Sequence, residues 1–326
     1  MKKLSLLLAL ALLLTLTACK QKEQEPPTPP ELVEEDVLRL KELRLEFPRS
    51  GLGKDQLARA MKELPELLRT YFEETGTVEV ERVIVTVGSS PASTAQALEE
   101  GHVDLAFLPG TIALDGPVVL LADAYPLNDG TLQAGSRGLL CAAPTEYGGQ
   151  LDTRVSSGKP LSLAEVERTR WGTVEGDANY FALWLADSYG EAFGGTATEY
   201  DSEDALFRAA AGGEVDAIVI RDDVRVDGAE TWTGDGSIWK QLPVLDVTET
   251  VYTTVAAVDP ELAEGAFAQA LEQVLQRMNE EHSDLMTVLG AEAFAPVTED
   301  GLTATRHLAA LVEEYTPYLR APHPYR

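Results

Sequence analysis

Hydrophobic positions along this 326-residue chain switch repeatedly between the spacing of strands and that of helices. Leu43 to Phe47 reads as a strand, and Pro48-Arg49-Ser50-Gly51-Leu52-Gly53 turns the chain. Leu57, Met61, Leu64, Leu68 and Tyr71 then recur at close to the helical period, with Pro65 among them predicting a kink or a restart. Val83 to Val87 is a β-branched run. Ser90-Pro91 supplies an N-cap followed by proline at the first helical position, and that helix ends at Glu100 before Gly101. Val103 to Leu108 is the next strand, which completes a βαβ unit with parallel strands and a right-handed crossover.

The phrase Glu100-Gly101-His102-Val103-Asp104-Leu105-Ala106 is echoed by Gly213-Glu214-Val215-Asp216-Ala217-Ile218. In both, a helix ends in glycine and a buried strand begins at Val-Asp. Two such units fit two lobes of similar plan and are too few for a solenoid. Further strands are predicted at Gly138 to Ala143, Trp171 to Val174 and Val251 to Val258. Pro144 to Pro160 reads as a polar stretch without an element. Helices are predicted at Leu163 to Val166, Asp177 to Tyr189, Leu262 to Met278 and Thr303 to Tyr315. Alternating elements of this kind define an α/β protein.

The N-terminus follows a different rule. Lys2 and Lys3 precede an apolar run from Leu4 to Ala18, shorter than the ~20 residues a spanning helix needs. It closes on Leu16-Thr17-Ala18-Cys19, which resembles the lipobox of bacterial lipoproteins. Residues 1–18 are therefore expected to be a lipoprotein signal peptide, with Cys19 the lipidated residue. Residues 19–36, charged and carrying Pro26, Pro27, Pro29 and Pro30, are expected to form a flexible tether. These features imply an extracytoplasmic protein, lipid-anchored to the bacterial membrane.

Composition narrows the partners. Fifty-four acidic against 26 basic residues give a net charge of −28, which argues against nucleic acid and anionic lipid surfaces. Once Cys19 is lipidated, only Cys141 remains, in the apolar run Gly138 to Ala142, where it reads as a buried strand thiol. No intramolecular disulfide is available.

The phrases Leu43-Arg44-Leu45-Glu46-Phe47-Pro48, Ala97 to Leu108, Leu161 to Val166, Gly213 to Val224 and Phe294-Ala295-Pro296-Val297-Thr298, in that order, resemble the phosphate/phosphite/phosphonate-type substrate-binding proteins of ABC importers. The resemblance implies a two-lobed type II periplasmic-binding-protein-like fold, each lobe a sheet flanked by helices, joined by two hinge strands. Lobe I would comprise 37–134 and 251–326, and lobe II 135–250. It also implies a small-molecule solute in the interlobe cleft and ABC permease subunits as partners. Departures fall near the ligand. Pro109-Gly110 reverses the family's Gly-Pro, with Ala113 near the position of its tyrosine, and Pro91 stands where the preceding helix usually starts on tyrosine. The second-lobe cradle reads Glu175-Gly176-Asp177-Ala178-Asn179-Tyr180, with two carboxylates where the family carries hydroxyls.

Candidate ligand-binding residues are Ser50, Gly51, Ser89, Ser90, Ser93 and Thr111 on the first lobe, and Asp177, Asn179, Tyr180 and Asp222 on the second. Serines at helix starts offer hydroxyls and N–H groups to an anion, and they also simply cap helices. Asp177 suits the dipole of its own helix. Asp222 follows a strand at its carboxyl end, where open α/β sheets bind ligands. Arg49 and Arg221 are available to neutralise an acid group, though surface arginines commonly do nothing more than meet water.

Catalysis finds no support. Gly51-Leu52-Gly53-Lys54 lacks the P-loop's upstream glycine and its Ser or Thr, and Ser156-x-x-Lys159 lacks its companion motifs. His102, His282, His307 and His323 make no metal pair at helical spacing, and Asp223 to Gly234 matches a calcium loop only in part. The expectation is a non-enzymatic receptor, without metal or cofactor, for a phosphate- or phosphonate-like oxyanion. The alternatives are a cationic or zwitterionic solute, or a sensing or scaffold role without transport.

Overall fold

The computed structural model describes residues 37–49, 52–126, 131–174, 178–190, 197–222 and 224–319. The signal segment, Cys19 and the tether lie outside them, as do Ser50, Gly51, Glu175 and Asp177. The strands are β1 (Leu38–Leu40), β2 (Leu43–Pro48), β3 (Val78–Val80), β4 (Val83–Gly88), β5 (Leu105–Pro109), β6 (Val118–Pro126), β7 (Leu132–Ala134), β8 (Gly138–Ala142), β9 (Trp171–Val174), β10 (Thr198–Tyr200), β11 (Ala217–Arg221), β12 (Val244–Val247), β13 (Thr254–Val258) and β14 (Ala293–Pro296). The longer helices are α1 (Lys54–Glu74), α2 (Pro91–Glu99), α3 (Glu146–Ser156), α4 (Leu163–Arg168), α5 (Ala178–Tyr189), α6 (Glu203–Ala211), α7 (Ala266–Glu281) and α8 (Glu299–Leu319).

Two main sheets result. The larger has the order β14-β6-β13-β5-β2-β4, with β7 added beside β6; the smaller has the order β10-β9-β11-β8-β12. β2, β4 and β5 run parallel, as the βαβ reading requires, and β13 enters antiparallel between β5 and β6. In the smaller sheet β9, β10 and β11 are parallel and β8 is antiparallel.

Burial explains the elements and two departures from the sequence reading. α1 is one continuous helix through Pro65, with no restart. Leu64, Leu68, Tyr71 and Phe72 are buried from one side of it, and Phe72 stacks on Phe267 of α7 at 5.4 Å. That packing outweighs the local penalty of the proline. Met61, placed by periodicity on the buried stripe, is instead 36% exposed, and Ala60 takes the inner position. The polar stretch after β8 holds α3, whose core contribution is little more than Leu151. One buried leucine leaves no periodic trace, so the helix is invisible to pattern. In the smaller lobe Trp171, Phe181, Trp184 and Tyr189 pack in sequence at centroid distances of 4.8 to 6.0 Å. Cys141 is buried in β8.

The echoed Val-Asp phrases are built alike. Asp104 accepts from Arg44 N at 2.7 Å and from its guanidinium, while Arg44 also reaches Gly101 O at 2.8 Å. Asp216 accepts from Arg170 N at 3.2 Å and from the Arg170 guanidinium at 2.8 and 2.6 Å, and Arg170 reaches Glu214 O at 3.0 Å. Each aspartate thus clips the start of its own strand to the strand beside it, through a two-pronged charged contact. Thr145 adds a further hydrogen bond to Asp216 at 2.9 Å.

Asp216 supplies a test of this arrangement. The Arg170 guanidinium holds its carboxyl below the usual range, against burial. A lowered folded pKa means the contact stabilises above the ordinary carboxylate pKa of ~4 and is lost as pH falls through the folded value. Asp216→Asn is expected to cost about 1–3 kcal/mol at pH 7. The gap from wild type should close below about pH 4, read by denaturant unfolding across pH. A gap independent of pH would remove the charge from the explanation.

Candidate functional site

Strand direction decides which ends of the sheets can form a site. Because β13 is antiparallel to both β5 and β6, the carboxyl ends of β2, β4, β5 and β6 lie along one edge of the larger sheet. In the smaller sheet, the carboxyl ends of β9, β10 and β11 share an edge with the start of β8 and the end of β12. The chain crosses between sheets at these two edges, first from β7 to β8 and later from β12 to β13. Ligands bind such open sheets outside the carboxyl ends of the strands.

The two crossings touch. Ser136 and Val251 pair as an isolated antiparallel bridge, with N–H···O distances of 2.9 and 2.8 Å. Gly135, just before, has φ +73°, and a Cβ there would come within 2.7 Å of Val251 O and the Tyr252 ring. Only glycine meets both conditions. Gly138 N at the entry to β8 donates to Thr248 Oγ1 at 2.8 Å.

Two carboxylates fix the crossings to the sheets. Asp123 on β6, 2% exposed, accepts from Thr253 N at 2.9 Å, Thr254 N at 3.1 Å, Thr253 Oγ1 at 2.7 Å and Tyr125 Oη at 3.3 Å. Asp222, after β11, accepts from Arg137 N at 3.1 Å while its own N–H donates to Arg137 O at 2.7 Å. This exchange holds Asp222 at φ +44°, a left-handed conformation that aspartate tolerates better than most residues. Burial raises the Asp222 carboxyl, with nearby Asp123 adding to it and Arg221 and Arg137 opposing. Arg221 sits over the Tyr125 ring at 5.6 Å. The Tyr125 hydroxyl is pushed up to about 12 by burial and by Asp123.

α8 forms a third tie. Tyr252 Oη accepts from Thr298 N at 2.8 Å, and Tyr252 N donates to Thr305 Oγ1 at 2.9 Å. Further along, Ala304, Leu308 and Leu311 pack into the apolar cluster of Tyr180, Phe181 and Trp184 beneath the smaller sheet. The helix is rooted beside the second crossing and covered by the smaller lobe.

The expected ligand residues divide accordingly. Ser89, Ser90 and Ser93 stand at the edge of the larger sheet, where α2 begins. Their hydroxyls cap that helix: Ser90 Oγ accepts from Ser93 N at 3.1 Å, Ser93 Oγ accepts from Ser90 N at 3.0 Å, and Ser89 Oγ lies 3.0 Å from Ser93 Oγ. Thr111 follows β5 at the same edge. Asn179 and Tyr180 open α5 at the edge of the smaller sheet, and Asp222 lies at the hinge floor. Tyr180 is 4% exposed, and its hydroxyl meets Ser136 in the first crossing. Asp123, Tyr125, Ser136 and Arg137 were not foreseen, because only long-range folding brings them together. No group of His, Cys, Asp and Glu fit to hold a metal occurs among the described residues.

Two sheets flanked by helices and joined by two hinge strands make this a type II periplasmic-binding fold, the architecture expected from the resemblance. The chain belongs to the ABC transporter phosphonate periplasmic substrate-binding protein family, whose family model matches residues 54–302. The family is extracytoplasmic and works in solute transport, not catalysis. No helix among the described residues is long and apolar enough to cross a membrane. Among solved structures, the chain is similar to XAC2383 from Xanthomonas citri bound to ATP, at 13% identity and TM-score 0.46 over 86% of this chain and 100% of that one. It is also similar to PhnD1 from Prochlorococcus marinus in complex with methylphosphonate, at 12% identity and TM-score 0.39 over 85% and 98%. A third is the periplasmic aliphatic sulphonate binding protein SsuA from Escherichia coli, at 14% identity and TM-score 0.40 over 85% and 93%. No curated protein matches the chain.

Asp123→Ala should test the hinge floor. It strands buried N–H and O–H donors in the second crossing, so a loss of about 2–4 kcal/mol in denaturant unfolding is expected. A loss under about 0.5 kcal/mol, the level of an ordinary surface change, would mean that Asp123 does not anchor that crossing.

Proposed function

We propose that this protein is a lipid-anchored receptor of an ABC importer that clasps a small polar solute bearing a phosphate- or phosphonate-like acid group between its two lobes. The observation that carries the reading is the shared edge. The carboxyl ends of both parallel strand sets lie where the chain crosses between sheets. Ser89, Ser90, Ser93 and Thr111 on one side therefore face the same hinge as Asn179 and Asp222 on the other. Ser50, Gly51 and Asp177 complete the proposed ligand set, with Tyr180 acting at its base. Residues 37–134 and 251–326 form lobe I and 135–250 lobe II in this reading, with α8 reaching across to the second lobe. Cys19 carries the lipid, residues 1–18 are removed as a signal peptide, and permease subunits receive the solute.

A second reading has its own support. Asp222 places a half-buried carboxyl at the cleft floor, raised by desolvation, and such a group favours a cation beside it. A solute carrying both an acid group and an amine satisfies both edges. A sensing or scaffold role without transport stands behind these.

Thermal-shift measurements with phosphate, methylphosphonate and a small primary amine separate the readings. A solute held at 100 times its Kd adds about 2.7 kcal/mol of stability. Stabilisation by the acid probes is expected. Stabilisation by the amine alone would replace the oxyanion with a cationic solute, and silence from all three would favour the sensing role.

The anchor is tested separately. Cys19→Ala should abolish incorporation of a labelled fatty acid and leave the melting temperature of the body unchanged. Equal label in both proteins would remove the lipid.

A further inference from the structure

We propose that Arg137, in the first crossing, receives the acid group of the solute on its forked guanidinium. This role rests on the oxyanion reading and names the residue that carries its charge. In a chain with 54 acidic and 26 basic residues, carboxylates are plentiful, and most described arginines have found one. Arg168 and Arg221 lie over rings, and Arg225 donates to Leu242 O at 2.7 Å. Among the described residues, only the guanidiniums of Arg49, Arg137 and Arg208 have no ion pair, ring contact or hydrogen bond. Arg208 lies in the last turn of α6, away from the cleft edge. Arg137 stands at the entry to β8, on the edge shared with the carboxyl ends of β9, β10 and β11.

Its root separates Arg137 from Arg49. Arg49 is tied by one backbone bond, from its N–H to Gly88 O at 3.0 Å. Arg137 is tied by two, since its N–H donates to Asp222 Oδ1 at 3.1 Å and its C=O accepts from Asp222 N at 2.7 Å. The residues on either side are buried: Ser136 pairs with Val251, and a Cβ on Gly138 would come within 2.4 Å of Tyr180. Arg137 itself is exposed. The Asp222 carboxylate takes the Arg137 N–H and leaves the guanidinium unpaired, although the charge of Arg137 still lowers that carboxyl. A cation rooted in rigid backbone, with its head in water, meets an anion at reduced ordering cost. Its fork matches two oxygens of a phosphate or phosphonate group. The serines of α2 spend their hydroxyls on capping, so the full positive charge that an oxyanion needs comes from the opposite edge.

Calorimetric titration of the full chain carrying Cys19→Ala, with phosphate and with methylphosphonate, tests the assignment. Arg137→Gln should weaken binding of these probes about 10- to 100-fold. Its melting temperature without solute should stay at the wild-type value, because the side chain makes no hydrogen bond or ion pair in the fold. Arg137→Lys keeps the charge and loses the fork, so its affinity should fall between the two. Arg208→Gln removes an equal charge outside the cleft and should bind as wild type does. Equal binding by wild type and Arg137→Gln overturns the role of Arg137 and leaves the oxyanion reading standing. Equal losses in Arg137→Gln and Arg208→Gln overturn it too, because net charge would be the cause. Wild-type affinity in Arg137→Lys overturns the forked grip, and this variant decides alone if Arg137→Gln does not fold. Silence of the wild type toward both probes overturns the oxyanion reading, and the role of Arg137 with it.

Discussion

The architecture depends on a chain that crosses twice between two sheets and pairs with itself on the way. A single crossing would leave each lobe free to swivel about one set of backbone torsions. The Ser136–Val251 bridge makes the crossings a short two-stranded ribbon, so rotation is confined to bending. A bare ribbon of this size would be marginal in water. Here it is covered: Tyr252 is 2% exposed beneath α8, Ser136 is fully buried against Tyr180, and Gly110 lies so close to Tyr252 O that any side chain would overlap it.

Within each lobe the recurring Arg–Asp contact does comparable work. A parallel strand cannot be registered by a hairpin turn, because its neighbour in the sheet comes from another part of the chain. Asp104 and Asp216 supply that registration at the point where each strand begins, joining side-chain charge to backbone N–H of the strand alongside. Isolated surface ion pairs contribute little. These contacts differ because the carboxylates are largely covered and their backbone partners belong to the sheet. The Val-Asp phrase noticed in the sequence is the trace of this mechanism.

That contrast shows what pattern can reach. β5 and β11 are legible because strands buried within a sheet carry nearly unbroken apolar runs, and the start of α2 is legible because its N-cap Ser90 and Pro91 are adjacent. α3 is not, since Gly148 and Leu151 carry its packing and Gly148 lies against the carbonyls of Ala143 and Asp216. β6 escapes for a related reason: Asp123 interrupts its apolar run, and the interruption has meaning only once Thr253 and Thr254 have come alongside. The cleft was legible as a set of helix starts and strand ends. Of its floor only Arg221 and Asp222 were legible; Asp123, Tyr125, Ser136 and Arg137 join them through long-range folding, which no local period encodes.

The charge of the chain bears on what the cleft can hold. At −28 the molecule repels anions at long range, but the screening length of ~8 Å at physiological ionic strength confines that field to the surface. Inside the cleft the nearest charges decide. There Asp222 feels the charges of Arg137, Arg221 and Asp123 together, so both signs meet at the hinge floor and form a local dipole. A purely anionic solute gains from one half of that dipole and is resisted by the other. A solute with separated charges can align with both.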